Sequence, residues 1–146
     1  MPVKFFYDSV KFRLRRSTNL KNYLSDNIKT KNYFLGDIHY IFVTDQALFE
    51  INKEFLNHNY FTDIITFDYN EKKTVNGEIY ISLETVYKNS VKYNVSFKIE
   101  LLRVVVHGIL HLIGYDDKTE RDKIRMREEE DIWIMGYLER HGKIDF

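Results

Sequence analysis

The run Ile99-Glu100-Leu101-Leu102-Arg103-Val104-Val105-Val106 leads without a break into His107-Gly108-Ile109-Leu110-His111-Leu112-Ile113. So long an apolar stretch has to be enclosed on most sides, and its length favours a buried helix over a strand. The rest of the chain must therefore build a cover for this helix. His107 and His111 stand four residues apart on it. That spacing places both imidazoles on one face with Cβ atoms roughly 5–6 Å apart, where they can share one metal ion. Gly114 follows, and glycine enters the left-handed conformation that commonly closes a helix. The chain can then fold back and bring Asp116 or Asp117 towards the histidines. Two nitrogens, one carboxylate and an open position make the ligand count of a catalytic zinc site, not of a closed structural one. Zinc-peptidase helices carry glutamate directly after the first histidine as general base. Here that place is Gly108, which points to a different metal hydrolase.

These residues resemble the signature of the YbeY family, His-Gly-x-Leu-His-Leu-x-Gly-Tyr-Asp-His, at every specified position but the last. The family consists of single-domain, metal-dependent endoribonucleases of ribosomal RNA maturation, and the resemblance covers nearly the whole chain. It implies metal ligands at His107, His111 and Asp117, with aspartate standing where the family has a third histidine. Aspartate is also a competent ligand, so the departure alters metal preference and the acidity of bound water without abolishing the site. Asp116, beside it, is a candidate to orient a histidine N–H or, alternatively, to cap the turn.

A second stretch, 51–67, is similar to the family's Leu-Asn-x-x-Tyr-Arg-x-x-Asp-x-Pro-Thr-Asp-Val-Leu-Ser-Phe. Asn52, Thr62, Asp63 and Phe67 match it, and Gly77-Glu78-Ile79-Tyr80-Ile81 stands for a Gly-Asp-Ile-x-Ile strand. Leu56 occupies the place of an arginine that the resemblance assigns to phosphate or RNA contact, and leucine has no donor for a phosphate oxygen. Arg103, one helical turn before His107, and Lys53, one turn before Leu56, are the candidate replacements for substrate binding. Arg103 has a structural alternative, an ion pair with Glu100.

The chain of 146 residues fits one domain spanning 1–146, and 44% hydrophobic with 16% aromatic residues supplies its core. Cysteine is absent, so any metal depends on histidine and carboxylate. The 22 basic and 22 acidic residues balance, and composition alone gives no sign of nucleic-acid binding. The N-terminal residues do not read as a signal peptide and no apolar stretch reaches membrane-spanning length, so a cytoplasmic protein is expected.

In order, Val3–Tyr7 reads as a strand. Ser17-Thr18-Asn19 offers caps for a helix facing inward with Leu20, Tyr23, Leu24 and Ile28. Residues 33–37 read as a turn and Ile38–Val43 as a strand. Thr44-Asp45 caps a helix with Leu48, Ile51, Phe55 and Leu56 on its buried face. Thr62–Tyr69 and Glu78–Ser82 read as antiparallel strands joined through a loop ending in Asn76-Gly77, a hairpin-type turn signal. A helix with Val86, Tyr87, Val91 and Tyr93 follows, then Ser96 capping the histidine helix. The last helix, Lys118 to about Leu138, has Ile124, Ile132, Trp133 and Met135 turned inward. This order predicts an α+β fold. A four-stranded mixed sheet, mostly parallel with one antiparallel strand, packs with about five helices, the histidine helix central.

The expected activity is a metal-dependent endoribonuclease acting on single-strand-type segments of ribosomal RNA or of a ribosomal subunit, with one divalent ion, zinc. Hydroxide attack on phosphorus and assistance to a neighbouring 2′-hydroxyl are both open routes. Two rivals remain: an unusual metallopeptidase, and a non-catalytic ribosome-assembly module whose metal pins the helix to its following loop.

Overall fold

The computed structural model describes residues 2–58 and 62–146. Asn59, Tyr60 and Phe61, within the second matched stretch, lie outside the described residues. The elements are β1 (Val3–Tyr7), α1 (Thr18–Thr30), β2 (Phe34–Val43), α2 (Asp45–Leu56), β3 (Ile64–Asp68), β4 (Thr74–Ser82), α3 (Leu83–Lys92), α4 (Phe97–Leu112) and α5 (Glu120–His141). The sheet runs β1-β2-β4-β3, with β1–β2 and β2–β4 parallel and β3–β4 antiparallel. This is the α+β architecture that the order of elements predicts.

Side-chain caps start the helices where the sequence offers them. Thr44 accepts from the Ala47 amide, Ser82 from Thr85 and Ser96 from Ile99. Each satisfies one of the orphan amides of a first turn. Ser17 precedes α1 but makes no such bond.

β4 alternates with period two. Val75, Ile79 and Ile81 turn to α4 and are buried, while Tyr80 packs with Val43, Leu48 and Ile65 against α2 on the opposite face. Helix α4 is enclosed between sheet, α1, α3 and α5, with Leu101, Leu102, Val105, Val106, Ile109 and Leu110 fully buried. Each such side chain contributes roughly 1.5–3 kcal/mol of transfer free energy before chain entropy is subtracted. Tyr40 of β2 reaches across this layer, and its hydroxyl donates to the Val105 carbonyl at 2.7 Å. The tail folds back as well: Asp145 accepts from the Tyr137 hydroxyl and, at 2.6 Å, from Asn19 Nδ2.

Several local expectations are corrected. Residues 34–37 belong to β2, not to a turn; the register shifts between Leu35 and Ile38, and Asn76 Oδ1 accepts the freed Asp37 amide at 2.8 Å. Asn76-Gly77 lies inside β4, and the hairpin turns instead at Glu71–Thr74, where Lys72 takes φ +55°. Gly77 serves close approach, since a Cβ there would stand 2.9 Å from both Leu112 Cδ1 and the Phe67 carbonyl. On α2, Phe55 is 63% exposed and Leu56 is exposed too, while Leu48 and Asn52 are buried. On α3, Tyr87 and Val91 face outward, as does Tyr93 just past its end, and Leu83, Val86 and Ser90 face inward. Helix α5 starts at Glu120 and buries Met126, Glu130, Trp133, Ile134 and Tyr137; Ile124, Ile132 and Met135 are exposed.

Candidate metal centre

The end of α4 sets the site. The Tyr115 amide donates to the Leu110 carbonyl at 2.9 Å and the Gly114 amide to the His111 carbonyl at 3.1 Å, with Gly114 at φ +98°. This is the paired bonding of a Schellman motif, and it reverses the chain just past the helix. Asp116 Oδ1 then accepts the Asp117 amide at 2.9 Å, so Asp116 caps the turn, and the polar partners of the two histidines are Asp117 and Glu130 instead. Asp117 is thereby carried back over α4.

Asp117 Oδ2 lies 3.4 Å from His107 Nε2 and 3.3 Å from His111 Nε2. The imidazoles stand nearly perpendicular, at 83° with centroids 4.5 Å apart. One ligand atom from each of the three residues falls within 4.8 Å of the others, a group that could hold a metal ion. Zinc–nitrogen and zinc–oxygen bonds near 2.1 Å at tetrahedral angles separate neighbouring donors by about 3.4 Å. The two separations to Asp117 fit that edge.

Glu130 of α5 is a functional candidate that sequence reasoning missed. Its Oε2 lies 2.6 Å from His107 Nδ1, and its Oε1 accepts from Arg103 at 3.0 Å. A carboxylate on Nδ1 fixes the ring and leaves Nε2 to face Asp117. The only sequence sign was an acidic cluster, 128–131, that reads equally well as a solvated helix face. Burial works against a charged His107, but the Glu130 carboxylate outweighs it and raises the pKa above the usual histidine value. Burial and the nearby His107 lower that of His111.

Arg103 forms its ion pairs with Glu130 and, at 2.7 Å, with Asp131, not with Glu100. Both ends of its guanidinium are thus engaged within the protein. Lys53 is exposed on α2 and does not line the cleft beside the centre. That cleft, ≈ 360 Å³, runs along α4 between α3 and α5, with Asp63, Glu100, Glu130 and Tyr93 among its walls. Burial raises the pKa of Asp63, partly offset by His107. Gly108 faces away from the cleft into the sheet, where a Cβ would meet Ile79 Cδ1 and Cγ2 at 2.9 Å. A glutamate at this position would be pressed into the core, so the peptidase arrangement has no room here.

A family model described as Endoribonuclease YbeY matches residues 8–137. An endoribonuclease YbeY of Flavobacterium psychrophilum is 43% identical over 129 residues, covering 88% of this chain and 91% of the relative. Another, from Karelsulcia muelleri, is 39% identical over 132 residues, with coverages of 90% and 93%. A Thermotoga maritima protein solved in solution superposes with a TM-score of 0.70 at 29% identity, over 94% of this chain and 90% of that one. With a family model matching residues 8–137 and relatives 39–43% identical over about nine-tenths of both chains, the chain belongs to the family of endoribonuclease YbeY.

Proposed function

We propose that this chain is a single-domain, metal-dependent endoribonuclease that cuts single-stranded segments of ribosomal RNA during maturation, in the cytoplasm. One zinc ion would be held by His107 Nε2, His111 Nε2 and Asp117 Oδ2. The observation that carries the reading is the approach of both Nε2 atoms to one carboxylate oxygen, at 3.4 and 3.3 Å, in a chain of this family. Such an ion supplies Lewis acidity towards water and phosphate oxygens.

The protein's own groups do the positioning. Glu130 accepts the His107 Nδ1 proton and keeps the Nε2 lone pair on the cleft side. Arg103 holds Glu130 in turn, which makes it a positioning residue of this centre. The Schellman turn and the Asp116 cap hold Asp117 over the helix without a side-chain rearrangement.

The test pairs metal analysis with cleavage. Purified protein should retain about one equivalent of zinc, cut ribosomal RNA and leave an unstructured peptide intact. His111→Ala should lose metal and cleavage while still melting cooperatively. Undiminished cleavage by His111→Ala would overturn the reading. RNA binding that survives in both forms, with cleavage by neither, would establish the assembly-module rival.

A further inference from the structure

The cleft beside the metal centre contains a buried acid that the proposed reaction does not use. Glu100 is 5% exposed and lines the cleft. Its carboxylate has no hydrogen-bond donor among the described residues; Arg103 and Arg127 act on it only through space. Glu130, by contrast, is engaged by His107 and Arg103. The Glu100 oxygens are not sealed in the core and keep access to the cleft, so they offer an acceptor there whose complement is a ligand that brings a donor.

Charge decides which part of a nucleotide enters. A phosphate inside would face Glu100 and Asp63, whereas a base offers N–H groups and a flat π face. Tyr93, just past the end of α3 and 50% exposed, also lines the cleft and presents a ring, with Lys92 Nζ 5.4 Å from its centroid. Single-stranded RNA is read in this way, with bases stacked on aromatic side chains and hydrogen-bonded at their edges. Lys123 and Arg127, both exposed and one helical turn apart on α5, stand at the same cleft and suit the flanking phosphates. Glu100 and His107 lie two turns apart on α4, about 10 Å along the axis. That is the span of one nucleotide from phosphate to base edge.

We propose that this cleft is a nucleobase subsite. Tyr93 stacks the base next to the scissile phosphate and Glu100 accepts from its exocyclic amine, so adenine, cytosine and guanine are selected over uracil. Carboxylates accept from such amines, whereas uracil presents two carbonyl oxygens flanking a single N–H. Burial raises the pKa of Glu100, with Arg103 drawing it back, and an arriving N–H donor favours the ionised acceptor.

The inference rests on the endoribonuclease reading, and mononucleotides separate the two because they cannot be cut internally. Zinc-loaded protein is titrated with cytidine, adenosine and uridine monophosphates, followed by calorimetry and NMR shifts. The parent should bind the cytidine and adenosine forms roughly tenfold tighter than uridine, within the range of one good edge contact. Tyr93→Ala should weaken all three by roughly fivefold or more, and Tyr93→Phe should restore them. Glu100→Gln, which offers both a donor and an acceptor, should erase the preference; thermal melts confirm that each variant is folded. Equal binding of all three bases by the parent overturns the subsite, as does a Tyr93→Ala change within twofold. RNA cleavage without base preference removes this inference alone, and base preference in a protein that cuts no RNA removes the proposed function alone.

Discussion

Gly108 sits directly after a histidine of the metal centre and against the sheet, so adding one methyl there tests how helix and site are coupled. In Gly108→Ala the new Cβ would lie 2.9 Å from both Ile79 Cδ1 and Ile79 Cγ2, and 3.3 Å from Ile64 Cδ1. Ordinary contact requires about half an ångström more. Ile79 is fully buried and β-branched, so Cγ2 cannot swing aside without an off-rotamer χ1. Overpacking of this kind costs about 1–3 kcal/mol, while replacing a mid-helix glycine by alanine returns about 1 kcal/mol. The net expectation is a loss of up to about 2 kcal/mol. At about 2–4 °C per kcal/mol for a chain near this size, Tm should fall by up to roughly 8 °C. Relief comes by lifting α4 off the sheet, which moves His107 relative to Asp117, so metal affinity should fall as well. Calorimetric melts and chelator competition read the two effects. In an Ile79→Val background, which removes Cδ1, the alanine should cost at least about 0.5 kcal/mol less. A Tm that rises in Gly108→Ala, or strict additivity with Ile79→Val, would refute the clash as the reason for glycine.

Glu130→Gln should lower metal affinity about 10–100-fold, because His107 loses its ionised acceptor; an unchanged affinity in chelator competition would mean the ring is held by other means. Arg103→Ala should destabilise the fold by about 1–3 kcal/mol, leaving Glu130 with one charged partner fewer. The salt dependence of RNA binding should stay as it is, and a flatter slope would put Arg103 on a phosphate after all. Asp117→His should make the centre one unit more positive, moving the pH–rate profile to lower pH and strengthening its preference for zinc over harder ions such as manganese. If neither moves, the charge reasoning fails. Burial opposes the Asp145 charge, but hydrogen bonds from Tyr137 and Asn19 outweigh it and lower its pKa. A lowered carboxylate stabilises the fold above its unfolded pKa of about 3.9, and that contribution is lost as pH falls through the folded value. Asp145→Asn should therefore flatten the decline of Tm in acid below about pH 4; an unaltered decline would remove the linkage.

What could be read in the sequence was what is local. Thr44, Ser82 and Ser96 are legible caps because a side chain and an amide three residues on meet through backbone geometry alone. The same holds for His107 and His111 on one helix face and for the reversal at Gly114. The buried faces of α2, α3 and α5 were misread where aromatic or aliphatic residues appear on two sides of a helix. Phe55, Tyr87 and Ile132 are as apolar as their buried neighbours, and only the packing partner decides between them. Gly77 resembles a turn glycine until Leu112, far along the chain, is seen pressing on it. Glu130 was hidden for the same reason: it stands 23 residues from His107, and no periodicity connects the two.

That bond between Glu130 and His107 would make the last helix a reporter on any ion held by the three candidate ligands, without touching it. Helix α5 supplies none of the three candidate ligand atoms, yet it grips the ring that presents one of them. Free-energy coupling is reciprocal, so whatever holds His107 in place also holds α5 against α4. Metal at a thousandfold excess over its dissociation constant adds about 4 kcal/mol to the native state, which sets the ceiling for this coupling. Amide hydrogens of α5 should accordingly exchange more slowly with solvent when zinc is present, most of all in the turns around Glu130. A partner that bends this helix could in turn loosen the ion from a distance, with no need to enter the cleft.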